Sequence, residues 1–219
     1  MKNTGRSMIM RRWSVVAALA LGCAVSPAKE TAEEVLERVK TTYEAMNDAF
    51  VRFSQKTKFE LSKVEQAATG ILYLKKEGKY RVELDDQTIV TDGETVWKYS
   101  AIQRQVLIDH FKADGRSFSP ERVLGGAPSG FIPTVLGKER VGGTETVVLK
   151  LAAKDEDSFV RVMKLWIDES TWLIRKAEYV DAGGARTEYL VSEFKVNVGL
   201  DDARFTYRIP EGADVVDLR

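Results

Sequence analysis

The sequence predicts a mainly β protein of class α+β. It has one long helix, ten to eleven antiparallel strands in a single strongly curved sheet close to a barrel, and a short helical insertion. Three observations carry this reading. Short β-prone runs succeed one another through most of the chain, each bounded by Gly, Asp or Pro turn residues. Asp92-Gly93 lies between Thr88-Ile89-Val90-Thr91 and Thr95-Val96-Trp97-Lys98-Tyr99, a strong hairpin signal because glycine accepts the positive φ of a tight turn. In Gly70-Ile71-Leu72-Tyr73-Leu74 both faces are apolar, whereas an ordinary half-buried strand alternates. Such a strand suits a sheet wrapped around a lipid-sized cavity or covered by helices.

The 219 residues suit one or at most two domains, and 30% charged with 44% hydrophobic residues is ordinary for a globular chain. Residues 1–28 differ. Lys2, Arg6, Arg11 and Arg12 precede an apolar run from Trp13 to Val25, with no acid before Glu30. This layout predicts a signal peptide cleaved after Ser26-Pro27-Ala28, leaving one domain over residues 29–219. Leu19-Ala20-Leu21-Gly22-Cys23 also resembles a bacterial lipobox, so acylation at Cys23, giving a membrane-anchored lipoprotein, is the alternative to a soluble periplasmic product. Residues 29–219 hold 29 basic and 33 acidic residues, a net charge of −4. That balance argues against nucleic-acid binding, which needs clustered cations. Cys23 is the single cysteine, so the predicted domain has no disulfide.

Thr31-Ala32-Glu33-Glu34 fits a capping box, and Val35, Leu36, Val39, Tyr43 and Met46 recur at helical spacing up to Asn47-Asp48. Strands follow at Phe50 to Phe59, Gly70 to Leu74, Tyr80 to Leu84, on both sides of Asp92-Gly93, and at Ile102 to Ile108. Between Phe111 and Leu136 the strand pattern stops. Ser119-Pro120-Glu121 reads as a helix start, Val123 and Leu124 as its apolar face and Gly125-Gly126 as its end. Phe131, Ile132, Val135 and Leu136 read as a second apolar segment of the same insertion, interrupted by Pro133. Long non-strand insertions are typically lids or binding loops. Strands return at Thr144 to Leu151, Val160 to Ile167, Trp172 to Val180, Arg186 to Val196 and Arg204 to Ile209.

Nothing in the chain resembles a catalytic set. His110 is the only histidine, and there is no Gly-x-Ser-x-Gly elbow, P-loop or Gly-x-Gly-x-x-Gly. Asp155-Glu156-Asp157 lacks calcium-loop spacing and reads as a solvated hairpin tip. The expectation is a protein that is not an enzyme and uses no metal or cofactor. Tyr73, Tyr80, Trp97 and Tyr99 suit either core or the lining of an apolar pocket. A curved sheet with an apolar insertion favours the pocket.

These residues resemble the periplasmic outer-membrane lipoprotein carrier family, LolA. The likeness lies in Gly70-Ile71-Leu72-Tyr73-Leu74-Lys75-Lys76, Tyr80-Arg81-Val82 and Ile89-Val90-Thr91-Asp92-Gly93 through Trp97 and Tyr99. It extends to Phe50-x-x-Phe53-Ser54-Gln55 and Phe205-Thr206-Tyr207-x-x-Pro210-x-Gly212, nearly the whole predicted mature chain. The resemblance implies an incomplete antiparallel β-barrel closed by short helices, with an apolar cavity for lipoprotein acyl chains. It implies partners too: acylated lipoproteins, an inner-membrane lipoprotein-releasing ABC transporter and an outer-membrane receptor, served by a monomeric carrier. By that likeness Phe53, Tyr73, Tyr80 and Ile89 line or border the cavity, while Val123, Leu124, Phe131 and Ile132 of the insertion form its lid. The family often has Arg-Pro after the strand beginning at Gly70, the arginine tying the lid through backbone carbonyls. Lys76-Glu77 stands there in this chain, which makes Lys76 the latch position without arginine's planar fork.

Overall fold

The computed structural model describes residues 1, 30–111, 120–126 and 129–219. The predicted signal peptide, its cleavage site, Cys23 and the Ser119 cap lie outside the described residues. The elements are α1 (Ala32–Ala45), β1 (Asp48–Phe59), β2 (Val64–Lys75), β3 (Lys79–Leu84), β4 (Gln87–Thr91), β5 (Thr95–Ser100), β6 (Gln105–His110), α2 (Pro120–Leu124), β7 (Phe131–Val141), β8 (Thr144–Ala153), β9 (Val160–Asp168), β10 (Ile174–Asp181), β11 (Ala185–Val196), a 3₁₀ turn (Asp202–Phe205) and β12 (Asp214–Asp217).

The strands form one sheet in the order β12-β6-β5-β4-β3-β2-β1-β11-β10-β9-β8-β7. Every neighbouring pair is antiparallel except β12 on β6, which is parallel. The sheet is open, because β12 and β7 end it without pairing to each other. A barrel therefore overstates the closure. Its ends explain why: β12 has only four residues, and β7 carries Pro133 and a bulge between Val135 and Gly137 that blunt the edge. Proline also explains a misread element. Phe131 and Ile132, expected in the helical insertion, begin strand β7, where an edge position tolerates a missing amide hydrogen. The strand expected at Arg204 to Ile209 is instead the 3₁₀ turn and extended chain.

Curvature follows from the contacts of α2, which touches β2, β3 and β10. Four strand spacings separate β3 from β10, about 19 Å in a flat sheet. A five-residue helix is only about 7.5 Å long, so the sheet must coil around it. Bulges between Arg52 and Phe53 in β1 and between Ile174 and Lys176 in β10 add local twist.

Cross-strand register separates two faces. On the inner face Leu72 pairs with Val82 and Val51, and Val82 with Ile89. With Phe53, Leu149, Leu151, Met163, Leu165, Ala177 and Tyr189 they form the main core, closed by Val35 and Val39 of α1 and by Val123 and Leu124 of α2. On the outer face Tyr73, Arg81, Val90, Trp97 and Ile108 form one cross-strand row.

That outer row has its own cover. After β11 the chain crosses the outer face of β1–β6 as a strap and ends as β12. Asp48 starts it: its buried carboxylate accepts hydrogen bonds from the amides of Val198 (2.7 Å), Gly199 (3.1 Å) and Leu200 (2.9 Å). Lys75 Nζ donates to the Leu200 carbonyl at 2.8 Å, Arg204 lies 4.3 Å over the Tyr73 ring, and Tyr207 stacks obliquely on Tyr99. Phe205 is 1% exposed. Two covers, not a cavity on each side, account for the doubly apolar run at Ile71 to Leu74.

Candidate functional site

The concave inner face, with the two helices lying on it, is the candidate site. Helix α1 is set by its predicted capping box: Thr31 Oγ1 accepts from the Glu34 amide at 3.2 Å, and Glu34 Oε2 from the Thr31 amide at 2.8 Å. Its apolar stripe of Ala32, Val35 and Val39 is buried. At its far end the Tyr43 hydroxyl accepts from the Ile174 amide at 3.2 Å, and the ring meets Phe194 edge-on at 5.9 Å. Burial holds the Tyr43 phenol well above its ordinary pKa, so it stays neutral.

Helix α2 bridges the concavity from β2 and β3 to β10, with Val123 and Leu124 fully buried. The chain leaves it through Gly125 and Gly126. A Cβ on Gly125 would run into the Glu121 carbonyl and approach Leu74 to 3.3 Å, and one on Gly126, at φ +137°, would meet the Tyr43 ring at 3.6 Å. Only glycines fit this passage between α1 and β2.

The floor is apolar with a line of hydroxyls. Phe53 lies across Gly70, where a Cβ would come within 2.6 Å of its ring, and packs edge-on to Tyr189 at 5.8 Å. The Tyr179 hydroxyl is hydrogen-bonded with the hydroxyls of Tyr189 and Thr187, and Thr187 meets Thr57 at 3.1 Å. Tyr80 donates its hydroxyl to Glu121 of α2 and packs edge-on to Phe111 at 6.1 Å. Desolvation first, and the Glu121 carboxylate second, hold the Tyr80 phenol far above its ordinary pKa. Clefts flank α2 on both sides. One of about 720 Å³ lies between α1 and the start of β7, lined by Leu36, Tyr43, Phe131, Ile132 and Pro133 among others. One of about 260 Å³ lies over β3, lined by Leu74, Tyr80, Phe111 and Glu121 among others.

The structure divides the residues singled out in the sequence. Phe53, Tyr80 and Ile89 lie on the inner face, against the core. Tyr73, Trp97 and Tyr99 lie on the outer face with the strap's row, so they do not border the concavity. Val123 and Leu124 belong to α2, while Phe131 and Ile132 sit on β7 beside the larger cleft. Lys76 is exposed, and among the described residues its side chain makes no hydrogen bond or ion pair. Only its amide is engaged, donating to the Asn47 carbonyl. Tyr179 and Tyr189 went unnoticed in the sequence, and Tyr43 and Glu121 were read there only as helix positions. Tyr179 and Tyr189 carry the period-two signal of a strand face, but Glu121 gives no sign that its helix points inward.

Residues 44–208 match the family model described as outer membrane lipoprotein carrier protein LolA. The chain belongs to that family. It is 29% identical over 213 residues to the outer-membrane lipoprotein carrier protein of Pseudomonas aeruginosa, covering 95% of this chain and 99% of that protein. The carrier of Azotobacter vinelandii is likewise 29% identical over 213 residues, covering 94% and 99%. An uncharacterized conserved protein from Thermus thermophilus shares the fold with a TM-score of 0.58 and 18% identity, over 85% of this chain and 98% of that one. LolA-family membership makes the chain a periplasmic carrier and not an enzyme. Among the described residues no helix is long and apolar enough to cross a membrane, and no group of three His, Cys, Asp or Glu side chains is placed to hold a metal ion.

Proposed function

We propose that the chain, freed of residues 1–28, takes up lipoprotein acyl chains on its concave face. It would accept them from an inner-membrane releasing transporter and hand them to an outer-membrane receptor. The observation that carries this reading is α2, a five-residue helix seated by two aliphatic side chains over a continuous apolar floor and flanked by clefts. Displacing it would uncover the stretches of β2, β3 and β10 that it lies on, Tyr80 among them. Each acyl methylene buried there is worth about 0.8 kcal/mol, so eight give about 6 kcal/mol. A closed resting state lowers the apparent affinity by its own population, which suits a carrier that must release its load.

Tyr80→Glu tests the site. It sets a second carboxylate beside Glu121 on the inner face, where an unpaired buried charge costs several kcal/mol. Binding of a fluorescent acyl probe should fall by about tenfold or more. Lys150→Glu, on the exposed outer face of β8, should leave binding unchanged. If folded Tyr80→Glu protein binds the probe like the parent, the acyl site is not on this face.

A further inference from the structure

We propose that the open edge of β2 is a docking site for an extended segment of a partner polypeptide, which joins the sheet there as an added strand. β2 is 12 residues long, but β3 pairs only with its second half, from Gly70 opposite Leu84 to Lys75 opposite Lys79. Residues 64–69 pair with β1 on one side, from Phe59 opposite Val64 to Ser54 opposite Thr69, and with no described strand on the other. The sheet therefore has a step beside β3, and alternate backbone amides and carbonyls of residues 64–69 point into it. The two ends of the sheet are blunted, β12 by its shortness and β7 by Pro133 and a bulge. Residues 64–69 contain no proline and keep an unbroken register with β1. Their one charge, Glu65, is tied back across the pair to Lys56, and to Lys58 at 3.1 Å. Ala67, Ala68 and Thr69 are small, which leaves room for the side chains of a neighbouring strand.

A cleft of about 480 Å³ opens at the inner corner of this step. Its lining joins Phe53 and Leu84, which pack in the core of the concave face, to Thr69, Asp85 and Leu190. A molecule with its acyl groups on that face can continue from this corner along the edge of β2. On the carrier reading, on which this identification rests, the partner is the polypeptide of an acylated cargo. Charge sets its preference. Glu83 is matched by Arg81 at 2.6 Å, but Asp85 and Asp86, exposed on the turn that closes the step, make no ion pair among the described residues. A lysine or arginine at that end of the added strand is favoured, and an acid there is repelled.

The probe is a fluorescein-labelled heptapeptide of alternating threonine and valine that ends in lysine, beside an identical peptide ending in glutamate. The lysine peptide should bind about threefold to fivefold more tightly, and Asp85→Lys, in an exposed turn, should erase or invert that preference. A peptide with the same side chains but every amide nitrogen methylated cannot donate to β2 and should not bind. In the parent protein, alternate amides of residues 64–69 should exchange with solvent about tenfold or more slowly at saturating lysine peptide, while the amides already bonded to β1 change little.

Equal binding of the methylated peptide, equal binding of the lysine and glutamate peptides, or protection confined to another part of the sheet would each overturn the proposal. Protection of residues 64–69 that grows with protein concentration in the absence of peptide would also overturn it, by making the occupant a second copy of the chain. Strand addition in a protein that takes up no acyl probe would leave the docking edge standing and remove the carrier reading. Acyl uptake without strand addition would do the reverse.

Discussion

The outer face of this one sheet is finished in two ways. Over β1–β6 it is covered by the strap, and Val90, Val106 and Phe205 are as buried there as any core residue. Over β8–β11 it meets water and is laced with cross-strand pairs: Arg186 with Glu178 at 2.6 Å, Lys176 with Glu188 at 2.6 Å, and Lys176 over the Trp166 ring at 4.6 Å. The main core lies on the inner face and draws on strands of both halves. The difference teaches that apolar residues on both sides of a strand report two covers, whatever the covers are made of.

Three changes test that comparison, beginning with the largest effect. Phe205→Ala empties the pocket beneath the strap and should cost about 3–5 kcal/mol in urea unfolding. A loss below about 1 kcal/mol would mean that the strap adds little to the covered half.

In the other half Asp168 is the exception, a carboxylate only 3% exposed and bonded to Arg175 at 2.7 Å. Burial alone would push its pKa up, but hydrogen bonds from Ser170 and Arg175 outweigh this and bring it from 3.8 down to about 2. A depressed folded pKa contributes stability above the unfolded value, and this is lost as pH falls through the folded one. About 2 kcal/mol should therefore disappear between pH 4 and 2. Asp168→Asn should be less stable at neutral pH and lack that acid-dependent loss in pH-resolved denaturation. An unchanged acid slope would exclude Asp168 as its source.

The smallest effect belongs to the wet ion pairs. Arg186 is half exposed, and Arg186→Ala should change stability by less than about 1 kcal/mol, and less still in high salt. A cost near that of Phe205→Ala would erase the distinction between the halves.

The local signals in the sequence carried much of the fold. The capping box at Thr31 and Glu34 is formed, and the strand expected from Tyr80 to Leu84 is present, its alternation putting Tyr80, Val82 and Leu84 together on the inner face. Gly93 has the positive φ expected at its turn, although Asp92 Oδ1, accepting from the amides of Glu94 and Thr95, makes the loop longer than a two-residue hairpin. What failed depends on distant residues. Alternation says that Tyr73 and Leu74 oppose each other but not which one faces the helices, since the strap arrives from more than 120 residues away, as in the Lys75–Leu200 bond. Pro133 broke a periodic run that an edge strand tolerates. Glu121 looks like a solvated first-turn acid unless the curvature of the sheet is known.

The Asp48 carboxylate, clasped by the amides of residues 198–200, has a kinetic consequence. Its bonds join positions about 150 apart in sequence, and the central strand β1 pairs with β11 over a similar separation, as at Phe53 and Val191. Closing so long a loop spends chain entropy before any contact returns it, which slows folding. The middle of the sheet cannot assemble until nearly the whole chain is present. The N-terminal half alone has β1 and β2 but neither β11 nor the strap. The fold is thus completed only when the two ends of the domain meet.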